Sequence, residues 1–177
     1  IGNNDIHLIA MGTRGSSGFQ KDLFGSNTTQ ILNTVKTPVL VIPQNSHIDK
    51  LKKPKIAFAS DFKSFGGSKQ LTQFMDLMRL KYGSVDVEVV YVSDSDQPIP
   101  DESKNFCNGV IGEEVKGFTK ILSKNIHQGL MQYLDDEKPD LLLMVHRKNS
   151  FIDRLLKTSL STKMALRSGT PLLIFKD

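Results

Sequence analysis

The sequence has no tryptophan, a single cysteine, and only 7% aromatic residues. One thiol, Cys107, excludes an internal disulfide framework and fits a reducing compartment, which implies a cytoplasmic protein. No Cys/His arrangement surrounds it, so it reads as a structural thiol rather than a nucleophile. Long apolar runs are missing too. The longest, such as Leu141–Val145, span about five residues, far short of a membrane-crossing helix, so no membrane partner is expected. Nor is there a strong charge excess: 23 Lys and Arg against 19 Asp and Glu leave a net +4. The one dense basic cluster, Lys50, Lys52, Lys53 and Lys55 beside Pro54, has no interleaved aromatics. It reads as a solvated linker rather than a nucleic-acid surface. His7, His47, His127 and His146 lack a second ligand-type residue at metal spacing, so no metal site is expected. His7 falls in a strand and reads as packed or hydrogen-bonded. The chain opens on Ile1 rather than a methionine, which places the expected start upstream.

What is present is ordinary globular material, 38% hydrophobic and 24% charged. Residues 6–11 form an apolar run ending at a glycine-rich turn, Gly12 to Gly18. Ile31, Leu32 and Val35 then recur at helical spacing, with Ser26 or Asn27 as N-cap, and Pro38 ends that helix before a short strand, Val39–Ile42. Residues 44–54 are polar and lysine-rich and read as a linker. A second series follows. It comprises a strand over 55–60 ending at Asp61, an amphipathic helix over 68–81 and a valine-rich strand over 86–92. A polar loop at 94–104, a short helix within 105–116 and a strand at 118–122 come next. Helices over 125–134 and 153–167 and strands over 141–145 and 172–175 complete it. Ser64–Ser68 reads as a turn and helix cap. Alternation of helices with doubly apolar strands predicts an α/β fold: an open parallel five-stranded sheet with helices on both faces.

Part of this pattern occurs twice. Sliding the chain so that residue 11 meets residue 144 aligns Met11 with Met144, Arg14 with Arg147, Ser17 with Ser150 and Ser26 with Ser159. The same shift aligns Thr29 with Thr162, Thr37 with Thr170, Pro38 with Pro171 and Leu40 with Leu173, without a gap. Residues 1–43 therefore read as the last strand–loop–helix–strand of one domain, 44–54 as a linker, and 55–177 as a complete second domain. So short a leading piece cannot bury its apolar faces alone and must pack on a partner.

The first copy reads Gly12-Thr13-Arg14-Gly15, nine residues, then Gly25-Ser26-Asn27. Glycines there allow a sharp turn and close approach of a ligand to the backbone. A helix opening at Ser26 offers free N–H groups and a positive dipole end to a phosphate. The alternative is a flexible loop before a capped helix. The spacing matches neither the Walker lysine loop nor the dinucleotide fingerprint.

Together with Leu8-Ile9-Ala10-Met11 before it and Thr37-Pro38-Val39-Leu40-Val41-Ile42 after it, this loop resembles the end of a universal stress protein domain. The second unit is similar along its length. Ile56 to Phe62 resembles the family's first strand with its terminal aspartate, and Lys138 to Met144 the strand before the glycine loop. The resemblance implies a Rossmann-like fold of the adenine nucleotide α-hydrolase type, and a tandem member truncated at its N-terminus. It also implies binding of ATP or a related adenine nucleotide in a stress-response or regulatory role. Gly12, Thr13, Arg14, Gly15, Gly25, Ser26 and Asn27 would surround ribose and phosphates, and Asp61 would be an adenosine contact in the second domain. In the second copy Val145, Lys148 and Thr158 replace Gly12, Gly15 and Gly25, so that domain is expected to be structural rather than ATP-binding in the family manner. Arg147 and Lys148 read as solvated surface. Tandem members imply a homodimer or pseudo-dimer paired through the last strands, Val39–Ile42 and Leu172–Phe175. No base, activated water or metal-ligand set is visible, and Mg²⁺ is not specified, so the chain is not expected to be an enzyme. The rival readings are an interaction module without nucleotide and a slow ATPase.

Overall fold

The computed structural model describes residues 7–12, 30–32, 34–43, 46, 52–147 and 169–177. Their strands are β1 (Ile9–Gly12), β2 (Val39–Ile42), β3 (Lys55–Ala59), β4 (Asp86–Ser93), β5 (Val115–Leu122), β6 (Leu141–His146) and β7 (Leu172–Lys176). Their full-length helices are α1 (Ser68–Tyr82), α2 (Asp101–Ile111) and α3 (Ile126–Glu137). The helix expected over 153–167 lies outside the described residues.

Strands β7, β6, β3, β4 and β5 lie side by side in that order, all parallel. This is the predicted five-stranded sheet. It does not stop at β7. Strand β2 pairs antiparallel with β7 in the register Val39↔Ile174, Leu40↔Leu173, Val41↔Leu172, and β1 pairs parallel with β2. The leading strands thus continue the five-stranded sheet into one seven-stranded sheet, joined along Val39–Val41 and Leu172–Ile174. An open row of N–H and C=O groups on β7 and the apolar side chains of β2 are both costly when left unpaired, and pairing removes both costs.

Apolar residues on both faces of each central strand give two cores. On one face Ala57, Val90, Leu142, Met144, Leu172 and Ile174 meet Leu130, Met131 and Leu134 of α3. Val39, Val41 and Leu32 of the leading segment join this same core. On the other face Ile56, Phe58, Val87, Val89, Leu143 and Phe175 meet Leu71 and Met75 of α1 and Cys107 and Ile111 of α2. Period-two alternation explains how one run such as Leu141–Met144 feeds both.

Local chemistry sets the helix boundaries. The Asn125 side chain accepts the Gln128 N–H at 3.2 Å and caps α3, and Lys138 closes it in the left-handed conformation. Helix α2 begins at Asp101, inside the segment expected to be a loop. Asp101 and Glu102 in its first turn complement the helix dipole, and this signal outweighs the polar composition of 94–104. Strand β5 starts three residues earlier than expected; a bulge opposite Val87/Glu88 breaks the alternation by which it would have been seen. Gly66 and Gly67 form the expected turn, with the Ser68 N–H donating to the Phe65 carbonyl at 3.2 Å and Gly67 as the N-cap of α1. A Cβ on Gly67 would lie 2.6 Å from the Lys176 carbonyl oxygen, so the close approach of β7 adds a second demand for glycine here.

Candidate functional site

In an open parallel sheet, ligands bind beyond the carboxyl ends of the strands where strand order reverses. Here that point is between β3 and β6, and a cavity of about 440 Å³ opens there. Phe58 and Ala59 of β3, Val90 and Val92 of β4 and Met144 and Val145 of β6 supply apolar walls. Ser60, Ser93 and Ser123 lie along its rim, with the charged side chains Asp61, Lys63, Asp94 and Lys124.

The backbone contributes an open edge. Pairing of β3 with β4 ends at Ala59↔Val90, with one further bond from the Ser60 N–H to the Val90 carbonyl at 3.0 Å. The N–H and C=O groups of Asp86 and Val90 face β3, and those of Val87 and Ser93 face β5. By the same alternation the N–H and C=O of Val92 face the side that β3 has vacated, and among the described residues they have no hydrogen-bond partner there. Phe62, beyond the end of β3, has a φ of 60°, uncommon for a bulky residue, and its ring lies 4.9 Å from that of Tyr91.

Asp61, the expected adenosine contact, is at the cavity, but its carboxylate is engaged. Arg147 Nη1 donates to both its oxygens at 2.5 Å. The same guanidinium donates to the carbonyl oxygens of Lys63 (2.6 Å) and Ser64 (2.8 Å) and to Asp177 Oδ2 (3.1 Å). Asp177 Oδ1 in turn accepts the Gly66 N–H at 2.9 Å. The reading of Arg147 as solvated surface is corrected: its side chain is only 14% exposed and clamps the 61–66 loop to the end of β7. A planar fork with several donors can hold two carboxylates and two carbonyls at once, which sequence position alone does not reveal.

Gly12 ends β1, exposed, and a Cβ built on it meets nothing within 4 Å. Its φ is not in the left-handed region, so the expectation of a conformational turn at Gly12 itself is replaced by one of open access. Thr13, Arg14, Gly15, Gly25, Ser26 and Asn27 lie outside the described residues, as does Lys148. Because β2 runs antiparallel to β7, the carboxyl ends of β1 and β2 face the opposite margin of the sheet from the cavity. Gly12 and Asp61, the predicted site residues among the described ones, therefore do not converge.

His7 is exposed rather than packed. Lys53 and Lys55 are not simply solvated: they pair with Asp86 and Glu137, each at 2.7 Å. Among the described residues no group of His, Cys, Asp and Glu could hold a metal, and no helix is long and apolar enough to cross a membrane. Burial pushes the Cys107 thiol up to about 11, with a partial offset from a hydrogen bond with Ser60, so it is a poor nucleophile at neutral pH.

The fold and the crevice define the class: a doubly wound α/β protein with a ligand-sized cleft at the carboxyl edge of its parallel strands. Residues 1–43, the segment with the glycine loop, match the model of the universal stress protein family. The chain superposes with a TM-score of 0.67 on a universal stress protein from Archaeoglobus fulgidus, 23% identical, over 96% of this chain and 60% of that one. A universal stress protein from Pseudomonas aeruginosa, 12% identical, gives a TM-score of 0.58 over 96% of this chain and 63% of that one. The fold is thus that of universal stress proteins, and the chain spans about three fifths of the length of these two. No curated protein sequence matches it.

Proposed function

We propose that this is an adenine-nucleotide-binding regulatory protein of the universal stress type, cytoplasmic and without catalysis of its own. Its first copy takes the phosphates of ATP or a related nucleotide at Gly12, Thr13, Arg14, Gly15, Gly25, Ser26 and Asn27. The observation that carries the reading is the family match over 1–43, the segment in which Gly12 closes a parallel strand with open space where a side chain would stand. Such a strand end followed by a helix start presents backbone amides to an anion.

The second copy acts in this proposal as a structural partner and does not bind ATP through a glycine loop. Val145 occupies the position of Gly12, and Arg147 consumes the Asp61 carboxylate. The antiparallel β2–β7 seam is the surface through which the tandem halves, or two chains, assemble. Calorimetric titration with ATP tests the nucleotide site. We expect saturable binding that Gly12→Val weakens by about tenfold or more, about 1.4 kcal/mol, since side-chain bulk in that open space would obstruct approach of the phosphates to the backbone. Unchanged affinity in that variant would remove the proposed site, and phosphate release abolished by the same change would make the protein an ATPase instead.

A further inference from the structure

The two faces of the leading strands are covered unequally. Ile9, Met11, Val39 and Val41 enter the core beneath α3, whereas Ala10 and Gly12 alternate to the face on which α1 lies and are exposed there. Helix α1 covers β7 on that face, with the Phe74 and Phe175 rings 6.3 Å apart. Beside it, toward β1, is a cavity of about 290 Å³ walled by Leu8, Pro38, Phe74, Leu77, Leu173 and Phe175. Leu8, Leu77 and Leu80 are three of the five large hydrophobic side chains exposed among the described residues. Leu80, one helical turn beyond Leu77, is 84% exposed. Leucines exposed singly are ordinary, but three gathered about one apolar hollow mark a contact surface.

Helix α1 itself indicates what covers this surface. Its inner stripe, with Leu71 and Met75 fully buried, packs on the sheet. A second stripe on the same helix, Gln70, Gln73, Leu77 and Leu80, follows the alternating three- and four-residue spacing by which two parallel helices pair. Gln70, Gln73 and Leu77 line the cavity, and among the described residues its lining holds no Asp, Glu, Lys or Arg. Across a two-fold axis each residue meets its own copy. Leucine suits leucine there. A glutamine amide both donates and accepts, so it suits another glutamine, whereas a lysine or an aspartate would be repelled by its twin.

We infer that a second copy of this chain docks on this face. The two α1 helices pair side by side and parallel through Gln70, Gln73, Leu77 and Leu80, and each lies over the bare face of its partner's β1. The contact stacks on the sheet, whereas the β2–β7 seam lies within it, and it does not depend on any nucleotide.

Analytical ultracentrifugation of the 177-residue chain tests this contact. A concentration-dependent monomer–dimer equilibrium is expected. Leu80→Glu is expected to weaken the dimer by about tenfold or more, with the circular dichroism spectrum unchanged because the side chain is exposed. Leu122→Glu alters an exposed leucine on β5, away from this face, and is expected to leave the dimer intact. A chain that stays monomeric overturns the proposal and leaves the face to a helix from another source. A dimer that survives Leu80→Glu, or that Leu122→Glu weakens equally, overturns it as well. If Leu80→Glu fails to fold, methyl NMR of the unaltered chain decides: dilution is expected to shift Leu8, Leu77 and Leu80 but not Leu122 or Ile126. Equal shifts at all five, or none, would count against the contact.

Discussion

The leading strands β1 and β2 and the five strands β3–β7 share one sheet but are held in different ways. Each of β3, β6 and β7 is paired on both edges and apolar on both faces, and the unit they center has helices on both faces, so its two cores close largely within itself. β1 is paired on one edge only among the described residues and is half-buried to exposed along its length; β2 reaches the cores mainly through Val39 and Val41. The comparison shows that a piece too small to make a core can still be ordered where one sheet edge needs a neighbor. In this chain, position along the sheet governs how firmly a strand is held more than its own composition does. The apolar tetrapeptides Ile9–Gly12 and Val39–Ile42 are similar, yet only the latter is buried.

That contrast can be broken at its strong end first. Phe58, at 1% exposure under α1 and α2, is expected on replacement by alanine to cost about 3–5 kcal/mol and to lower the whole unfolding transition in denaturant melts. Val39→Asp places a charge in the β2–β7 seam, where the valine is fully buried. It is expected to cost about 3 kcal/mol locally and to expose the leading segment to hydrogen exchange while β3–β6 amides stay protected. Uniform loss of protection across the sheet would show instead that the two regions form one cooperative unit.

Smaller effects sharpen the picture within β3–β7. A Cβ on Gly129 would lie 2.8 Å from the Val92 side chain and 3.1 Å from that of Ile121, so Gly129→Ala is expected to lift α3 off β4 and β5. Overpacking of this kind costs about 1–3 kcal/mol, offset in part by the better helix propensity of alanine, and thermal melts would read the difference. Arg147→Met leaves Asp61 and Asp177 facing each other without their shared cation. We expect a loss of about 2 kcal/mol, partly recovered by high salt, in urea titrations.

The smallest expected effect is on acid stability. The Arg79 guanidinium holds the Glu114 carboxyl below its ordinary value near 4.5 and is itself raised by that partner. A carboxyl with a depressed folded value stabilizes the protein fully above the unfolded value and loses that contribution as pH falls through the folded one. Stability should therefore decline below about pH 4.5, and Arg79→Met should flatten that part of the profile. An unchanged acid limb in the variant would assign the decline to other carboxylates.

Much of the architecture was legible because its signals are local. Continuous apolar runs bounded by Pro and Gly located β2, β6 and β7, the valine alternation located β4, and period 3.6 located α1 and α3. The early start of α2 and the length of β5 were missed, since capping by first-turn acids and a bulge each override the simple period. The site was less legible. Asp61 could be named from its place after a strand, but its partner stands 86 residues away, and no spacing links the two. The Val92 backbone edge has no side-chain signature at all, because it arises where one strand ends before its neighbor does.

By itself the sequence determined the α/β class and most of the order of the described strands and helices, since these rest on periodicity and turn chemistry within short windows. Tertiary structure alone decided the register in which the leading strands extend the sheet, that Arg147 closes on Asp61 and Asp177, and that the crevice shows an unpaired peptide edge. Those outcomes depend on which distant backbone and side-chain groups come within hydrogen-bond reach, and that is fixed only when the sheet assembles.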